Sequence, residues 1–240
     1  MRRNPFALPG FRRCIEILPA GGSVMAALED DFHAMAVRLI HRAGRIVRVE
    51  PMMHRAPWTT CPGARSVLRE AFEGLALDDA IRVAGKTRHC THLYDLASLA
   101  AAHASDPSAS RFDMAVSDPA AGEVHALCRL NGHDIFRFSH RDNVLVHPDD
   151  LAGVSLFDRR EWRGRVGPAR QEAARLLQWC AILAHGRQIP MHRQNDALRM
   201  PANCYTFQPA NALKALRVGE VVDFSASAPN PLQHFTGGVF

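Results

Sequence analysis

Trp58-Thr-Thr-Cys61-Pro-Gly-Ala64 places a cysteine where an irregular segment turns into a helix, and His89-Cys90-Thr-His92-Leu-Tyr-Asp95 has the same arrangement. Pro62 suits the first turn of a helix, where its missing N–H costs nothing. Apolar residues follow both cysteines at helical spacing, as far as Gly74 in one case and about His103 in the other. We therefore predict two helices that begin at cysteines, and one site that both helix starts share.

Strand-like patterns lie on both sides of these helices. Phe32–His41 and Arg45–Glu50 carry apolar residues in a strand-like pattern around a short turn, which predicts a β-hairpin that ends at Pro51. After Asp106–Ser110, a linker by composition, strand-like runs flank Asn131-Gly132. Asn-Gly between such runs is typical of a hairpin turn, so this part of the chain is predicted to be an antiparallel meander.

These patterns predict an α+β fold in which antiparallel β-sheets pack against helices in two closely joined lobes. The first lobe, residues 1–105, contains the hairpin and the two helices with cysteine at their N-termini. The second lobe, residues 106–240, contains the meander, a long helix from Pro168 to about His185, and a segment near Cys204 that lines a pocket.

The composition is that of an ordinary globular protein, with 47% hydrophobic and 22% charged residues. No run reaches the roughly 18 apolar residues that a membrane span requires, and the basic start Met1–Pro5 is not followed by an apolar signal core. We expect a cytoplasmic protein without membrane association. The net charge of +5 comes mainly from arginines spread along the chain, so nucleic-acid binding is not expected.

The six cysteines are widely spaced and include no Cys-x-x-Cys pair, which in a cytoplasmic protein argues against a disulfide framework. Cys14, Cys128 and Cys180 lie in strand-like or apolar helical runs, and we predict that they are buried in the core. Cys61, Cys90 and Cys204 are therefore the cysteines available for a function.

Cys61 and Cys90 are candidate metal ligands because the amide dipoles at a helix N-terminus favour a thiolate and lower its pKa. Two adjacent thiolates repel each other unless a cation joins them, and His92 and His33 are further candidate ligands. The sequence thus predicts a Cys/His site for a divalent metal, zinc or iron. Three alternatives stay open: a structural metal site in a non-enzymatic binding or assembly module, a metal-free enzyme with a cysteine thiolate nucleophile, and thiols that only pack at helix starts.

Other side chains near these cysteines suit a small-molecule site. Arg55 and Trp58 flank Cys61 and suit an aromatic carboxylate, and Tyr205 is a second residue for stacking on a ring. Tyr94 and Asp95 follow Cys90 and are candidates for proton transfer, with Cys61 as a candidate catalytic thiol. Each of these residues also has a purely structural interpretation.

Several common signatures are missing from the sequence. It contains no phosphate-binding glycine loop with Lys-Ser/Thr and no dinucleotide fingerprint after a strand. It also contains no Gly-x-Ser-x-Gly and no His-Glu-x-x-His. We therefore expect no nucleotide cofactor, no hydrolase triad of the elbow type and no zincin site.

Four motifs resemble a bacterial family catalogued as domain of unknown function 2889: Leu28–His33, Arg55–Ala64, Cys90–Leu96 and Cys204–Pro209. The resemblance extends from about residue 10 to residue 225, and members of this family occur in bacteria that degrade aromatic and other hydrophobic compounds. This setting favours an enzyme of aromatic catabolism, whereas the expected metal dependence comes from the Cys/His pattern described above. The preferred reaction is a lyase that removes a small fragment from a lignin-type aromatic, ahead of hydrolysis. The expected partner is an aromatic or carboxylate-bearing small molecule, and a homodimer is an option.

Overall fold

The computed structural model describes residues 3–190, 193–226 and 230–233. Its strands are β1 (Gly10–Ala20), β2 (Ser23–Asp30), β3 (Ala34–Arg42), β4 (Arg45–Arg55), β5 (Ser110–Ser117), β6 (Glu123–Leu130), β7 (His133–Arg141) and β8 (Val144–His147). Its α-helices are α1 (Ala64–Phe72), α2 (Leu77–Ala80), α3 (Thr91–Ala102), α4 (Arg159–Arg165), α5 (Gln171–Ala184) and α6 (Pro209–Ala212).

The eight strands form one antiparallel sheet in the order β4-β3-β2-β1-β5-β6-β7-β8. Sheet order therefore follows chain order from β5 to β8 and runs in reverse from β4 to β1. Helices and antiparallel strands occur together in this way in α+β folds, and the predicted fold class is confirmed. None of the described helices combines the length and the apolar composition that a bilayer crossing requires.

The chain divides into two compact units. The meander unit comprises residues 1–14, 111–189 and 222–231, and the cysteine unit comprises residues 15–110, 190–221 and 232–240. The predicted boundary between the lobes lay at residue 105, whereas the boundary between the units lies at residue 110. Residues 190–221, which were predicted to belong to the second lobe, group with the earlier part of the chain. One reason is that Ala197, Ala212 and Ala215 pack against Trp58 and Cys61 in a small apolar cluster.

In the cysteine unit, β3 and β4 form the predicted hairpin. Ala43 and Gly44 both have positive φ values, 48° and 73°, as the two central residues of a tight hairpin turn require. The expectation that Pro51 ends the ladder is wrong: Pro51 pairs with Val37, and β4 continues to Arg55. β4 is an edge strand, where a proline can occur without removing a ladder hydrogen bond.

In the meander unit, β6 and β7 are joined at Asn131 and Gly132, whose φ values of 50° and 84° confirm the predicted Asn-Gly turn. The long helix α5 packs on β6 and β7. Cys128 and Cys180 are fully buried in this unit, and Cys14 is fully buried as well. The prediction that these thiols belong to the core is confirmed.

The two helix starts lie in the cysteine unit. Cys61 opens a single 3₁₀ turn, Cys61–Gly63, that continues into α1. Cys90 is the N-cap of α3. The α3 helix packs on β2 and β3, and α1 packs on β4. Both predicted helices are therefore present, and both begin at a cysteine.

Candidate functional site

The candidate site lies at α3, a helix that is buried along most of its length. Ten consecutive residues, from His92 to Ala101, are buried, although an isolated surface helix would bury only one face. Several of these residues are polar, and buried polar groups need hydrogen-bond partners. The Ser98 hydroxyl donates to the Ala80 carbonyl at 3.3 Å, and the Tyr94 hydroxyl donates to the Val83 carbonyl.

His92, at the start of α3, lies against a carboxylate and a second imidazole from the turn between β2 and β3. The His33 and His92 rings are stacked, with centroids 3.9 Å apart and planes inclined by 29°. The Asp30 carboxylate lies 3.0 Å from His33 Nδ1. One ligand atom from each of the three residues lies within 4.8 Å of the other two. We call Asp30, His33 and His92 the Asp-His-His group.

The sequence around Asp30 folds into this arrangement locally. Asp30 Oδ1 accepts hydrogen bonds from the backbone N–H groups of Phe32 and His33, both at 2.8 Å, as in an Asx turn. Nδ1 of His33 donates to the same carboxylate, which orients the imidazole. A carboxylate with two imidazoles is a donor set that suits zinc or ferrous iron.

The structure thus brings His33 and His92 together, as the predicted ligand set required, and adds Asp30. Sequence reasoning missed Asp30 because Glu29-Asp-Asp31 is typical of a solvated acidic bend. In the structure Asp30 and Asp31 are both fully buried. The signal that could have found Asp30 is the Asp-x-x-His spacing, in which the carboxylate can reach the histidine three residues later.

Arg55, the predicted ligand for a substrate carboxylate, supports the turn that carries Asp30. Its guanidinium donates to the carbonyl oxygens of Asp31 at 2.8 Å and Asp30 at 2.7 Å. It also forms an ion pair with the Glu29 carboxylate, with Nη2 and Oε1 3.2 Å apart. Through these contacts, Arg55 stabilises the turn between β2 and β3.

Cys61 and Cys90 do not join the Asp-His-His group. Across the described ranges, no other set of three His, Cys, Asp or Glu residues has its ligand atoms all within 4.8 Å. Cys61 contacts instead the segment that carries Cys204, because its Sγ atom lies 3.3 Å from the Thr206 hydroxyl. The predicted site is therefore divided into an imidazole–carboxylate part and a thiol part.

The expectation of lowered thiol pKa values is wrong. Burial raises the pKa of Cys61, and burial together with the neighbouring Cys61 thiol raises the pKa of Cys90 to about 12. Burial also raises the pKa of Cys204. The helix-start amides do stabilise a thiolate, but removal of the sulfur from water has the larger effect. At neutral pH and without a cation, these thiols are protonated.

Lys86, which the sequence did not single out, contacts both predicted proton-transfer residues, Tyr94 and Asp95. Lys86 Nζ donates to Asp95 Oδ2, and the ammonium lies 5.6 Å from the centroid of the Tyr94 ring. Lys86 is one of only two lysines in the chain, Lys214 being the other. Its contact with Asp95 joins the segment before α3 to the helix itself. The catalytic roles of Tyr94 and Asp95 stay predictions.

Residues 19–105 match the family described as Protein of unknown function (DUF2889). The match covers somewhat more than a third of the chain. The DUF2889 segment contains the whole Asp-His-His group, both helix starts and the Lys86–Asp95 pair. Cys204–Pro209, the fourth motif of the resemblance, lies outside it. No curated protein matches the chain.

The two aromatic residues predicted to stack on a substrate have packing partners. Trp58, inside the DUF2889 segment, is 4% exposed and packs against Phe207, with the Arg217 guanidinium 5.2 Å from its ring centroid. Tyr205, outside that segment, covers Gly63 so closely that a Cβ there would lie 2.6 Å from the tyrosine hydroxyl. Substrate binding by either ring stays a prediction.

Proposed function

We propose that this protein is a metal-dependent enzyme that acts on a small aromatic or hydrophobic acid. The proposed reaction is lyase-type, the removal of a small fragment from a lignin-type aromatic compound. The observation that supports metal dependence is the Asp-His-His group, with its ligand atoms within 4.8 Å of one another. The substrate class and the type of reaction follow from the family resemblance.

The donor chemistry fits a divalent cation. Asp30 is fully buried, and His33 and His92 are 6% and 7% exposed, so attraction between a cation and the carboxylate is only weakly screened by water. Three protein ligands leave room for a further ligand, which distinguishes catalytic from closed structural sites. A metal ion held there supplies Lewis acidity toward a substrate oxygen or a water molecule.

The surrounding residues orient this site and supply protons. Asp30 fixes the ring orientation of His33, and Arg55 fixes the backbone of Asp30 through its carbonyl oxygen. Asp95 follows His92 by three positions on α3, so the two side chains share a helix face. We assign proton transfer to the Lys86–Asp95 pair, in which Nζ donates to Oδ2. A buried, protonated Cys61 is a weak nucleophile, so we assign it no covalent step.

The test combines metal analysis with a product assay. Protein without a histidine tag is analysed for metals by mass spectrometry and incubated with lignin-type aromatic dimers, and release of a small carbonyl fragment is measured. We expect metal in the wild-type protein, loss of activity after chelation, and recovery on adding metal back. His92→Ala should lose this metal and at least about 100-fold in kcat/KM, since the affected group acts at the reacting centre. Cys180→Ser, in the apolar core of the meander unit, is the matched control.

Two results would contradict the proposal. Full activity after complete metal removal would exclude metal dependence. Metal bound in the wild-type protein without turnover of any aromatic substrate would instead favour a structural site in a binding module, the alternative that the sequence left open.

A further inference from the structure

A groove of about 460 Å³ lies on the sheet of the cysteine unit, beside the turn that joins β1 to β2. The β2–β3 ladder pairs Ser23 with Ile40 and Met25 with Arg38, and residues directly opposite each other share a face of a sheet. These four residues line the groove together with Leu18 of β1. Small-molecule sites typically have volumes of about 300 to 1,000 Å³, so the groove has the size of such a site.

The groove lies on the face of the sheet opposite the core, and it is distant from the Asp-His-His group. Val24 and Leu39 alternate with the lining residues and are 1% and 0% exposed, so they belong to the core face. Ser23 begins β2, whereas Asp30 ends it. Because a strand rises by about 3.4 Å per residue, the two ends of β2 are about 24 Å apart. The groove is therefore a site of its own.

Apolar side chains form much of the groove. Leu18, Met25 and Ile40 line it and are half-buried, so part of their surface is in contact with water. The turn at Gly21 and Gly22 has no side chains, and a Cβ at Gly21 would meet no atom within 4 Å. Removal of apolar surface from water is favourable, so a ligand with an apolar body is stabilised by covering these three side chains.

Arg38 supplies a positive charge at this apolar surface. Its Nη1 atom lies 3.7 Å from Glu50 Oε2, which is too long for a hydrogen bond. The same carboxylate is closer to Arg48, whose Nε atom lies 3.0 Å from Oε1. Two guanidinium groups thus share one carboxylate, and the local charge is positive. A guanidinium can bind a carboxylate through two parallel hydrogen bonds, so Arg38 suits an anionic ligand.

We propose that this groove binds a small carboxylic acid with an apolar body. The carboxylate pairs with Arg38, and the apolar body covers Leu18, Met25 and Ile40. The ligand class follows from the lining of the groove and does not depend on the proposed enzymatic reaction. Exposed ion pairs contribute little to stability, so exchange of Glu50 for the carboxylate of a ligand costs little.

The experiment is a calorimetric titration of the full-length protein with octanoate, after treatment with a chelator so that the carboxylate cannot bind to a metal. We expect saturable binding of octanoate and at least about 10-fold weaker binding of 1-octanol, which has the same chain without the charge. Arg38→Met should weaken octanoate binding at least about 10-fold, because it removes the charged hydrogen-bond donor and keeps an apolar side chain. Glu50→Gln should strengthen it, because a competing carboxylate is lost. Arg48→Met, which removes the neighbouring guanidinium, is the matched control and should change the affinity less than about 2-fold.

A second measurement uses the wild-type protein alone and so does not depend on how a variant folds. Octanoate should shift the nuclear magnetic resonance signal of the Met25 methyl group. A Met25 signal that responds to protein concentration and not to octanoate would mean that a second copy of the chain covers the groove, and would overturn the proposal. Equal affinity for octanoate and 1-octanol, or undiminished octanoate binding in folded Arg38→Met, would overturn it as well. His92→Ala should bind octanoate as the wild-type protein does, so failure here and failure of the proposed catalytic metal are distinguishable.

Discussion

The helices α3 and α5 pack on their strands in the same way but bury different kinds of side chain. In the cysteine unit α3 packs on β2 and β3, and in the meander unit α5 packs on β6 and β7. The buried side chains of α5 are apolar except for Gln178, whose amide donates to the Leu156 carbonyl at 2.8 Å. Those of α3 include an imidazole, a phenol, a carboxylate and a hydroxyl. Because burying polar groups is costly, the buried polar groups of α3 need partners that the mostly apolar buried face of α5 does not need.

Buried histidines sharpen this contrast. In the cysteine unit, His33 is paired with the Asp30 carboxylate and stacked on His92. In the meander unit, His140 is 4% exposed, and its ring centroid lies 6.2 Å from that of His185. Its Nδ1 atom has no hydrogen-bond partner among the residues that the structure describes. The same side chain is thus oriented by a carboxylate in one unit and kept neutral by its surroundings in the other. Only the first arrangement suits metal binding.

The largest effect is expected from truncating a buried leucine on either helix. Leu96 on α3 and Leu177 on α5 are both fully buried. Truncation of either to alanine should lower the free energy of unfolding by about 4 kcal/mol, because a buried leucine leaves a cavity behind. Chemical denaturation followed by circular dichroism measures this loss. Leu96→Ala should also weaken metal binding at His92, whereas Leu177→Ala should not. Equal metal affinity in both variants would break the contrast between the helices.

A smaller effect is expected from pH in the meander unit. Burial, followed by the positive charge of His185, lowers the pKa of His140 to about 4 from its usual 6.5, while Asp142 acts in the opposite direction. As the pH falls from about 6.5 to about 4, the unfolded chain binds a proton that folded His140 does not. The contribution of His140 to stability therefore declines over this window by about 3 kcal/mol and levels off below it. The free energy of unfolding, measured at pH 7 and pH 4.5, checks this.

His140→Gln is the control for the pH experiment, because glutamine does not titrate. Its unfolding free energy should depend less on pH than that of the wild-type protein over the same window. If both proteins lose the same stability between pH 7 and pH 4.5, another group causes the loss and the contrast between the two sets of histidines is weakened.

The smallest effect is expected from replacing Arg55. It distinguishes a structural role of Arg55 from binding of a substrate carboxylate. Arg55→Ala removes hydrogen bonds to the Asp30 and Asp31 carbonyls and the ion pair with Glu29. We expect a loss of about 2 kcal/mol in the free energy of unfolding, because the carbonyls are left in a partly buried turn. Metal affinity at the Asp-His-His group should fall with it. A raised KM with unchanged stability would instead support the predicted binding of a substrate carboxylate.

Local patterns in the sequence predicted much of the fold. The β3–β4 hairpin, the Asn131-Gly132 turn and the two helices that begin at Cys61 and Cys90 all follow from periodicity and turn chemistry within a few residues. The extension of β4 through Pro51 did not follow from them. Whether a proline interrupts a sheet depends on whether its strand lies at an edge, and that is a property of the assembled sheet.

The sequence by itself determined most residue types of the candidate site: thiols at helix starts, together with His33 and His92. Only the tertiary structure decided how they are grouped. It paired His33 with Asp30 and His92, and it placed Cys204 beside Cys61 through Thr206, across 145 positions of the chain. It also reversed the expected shift of the thiol pKa values. The physical reason is that burial and long-range proximity depend on the whole packed unit, whereas helix starts and turns depend on neighbouring residues alone.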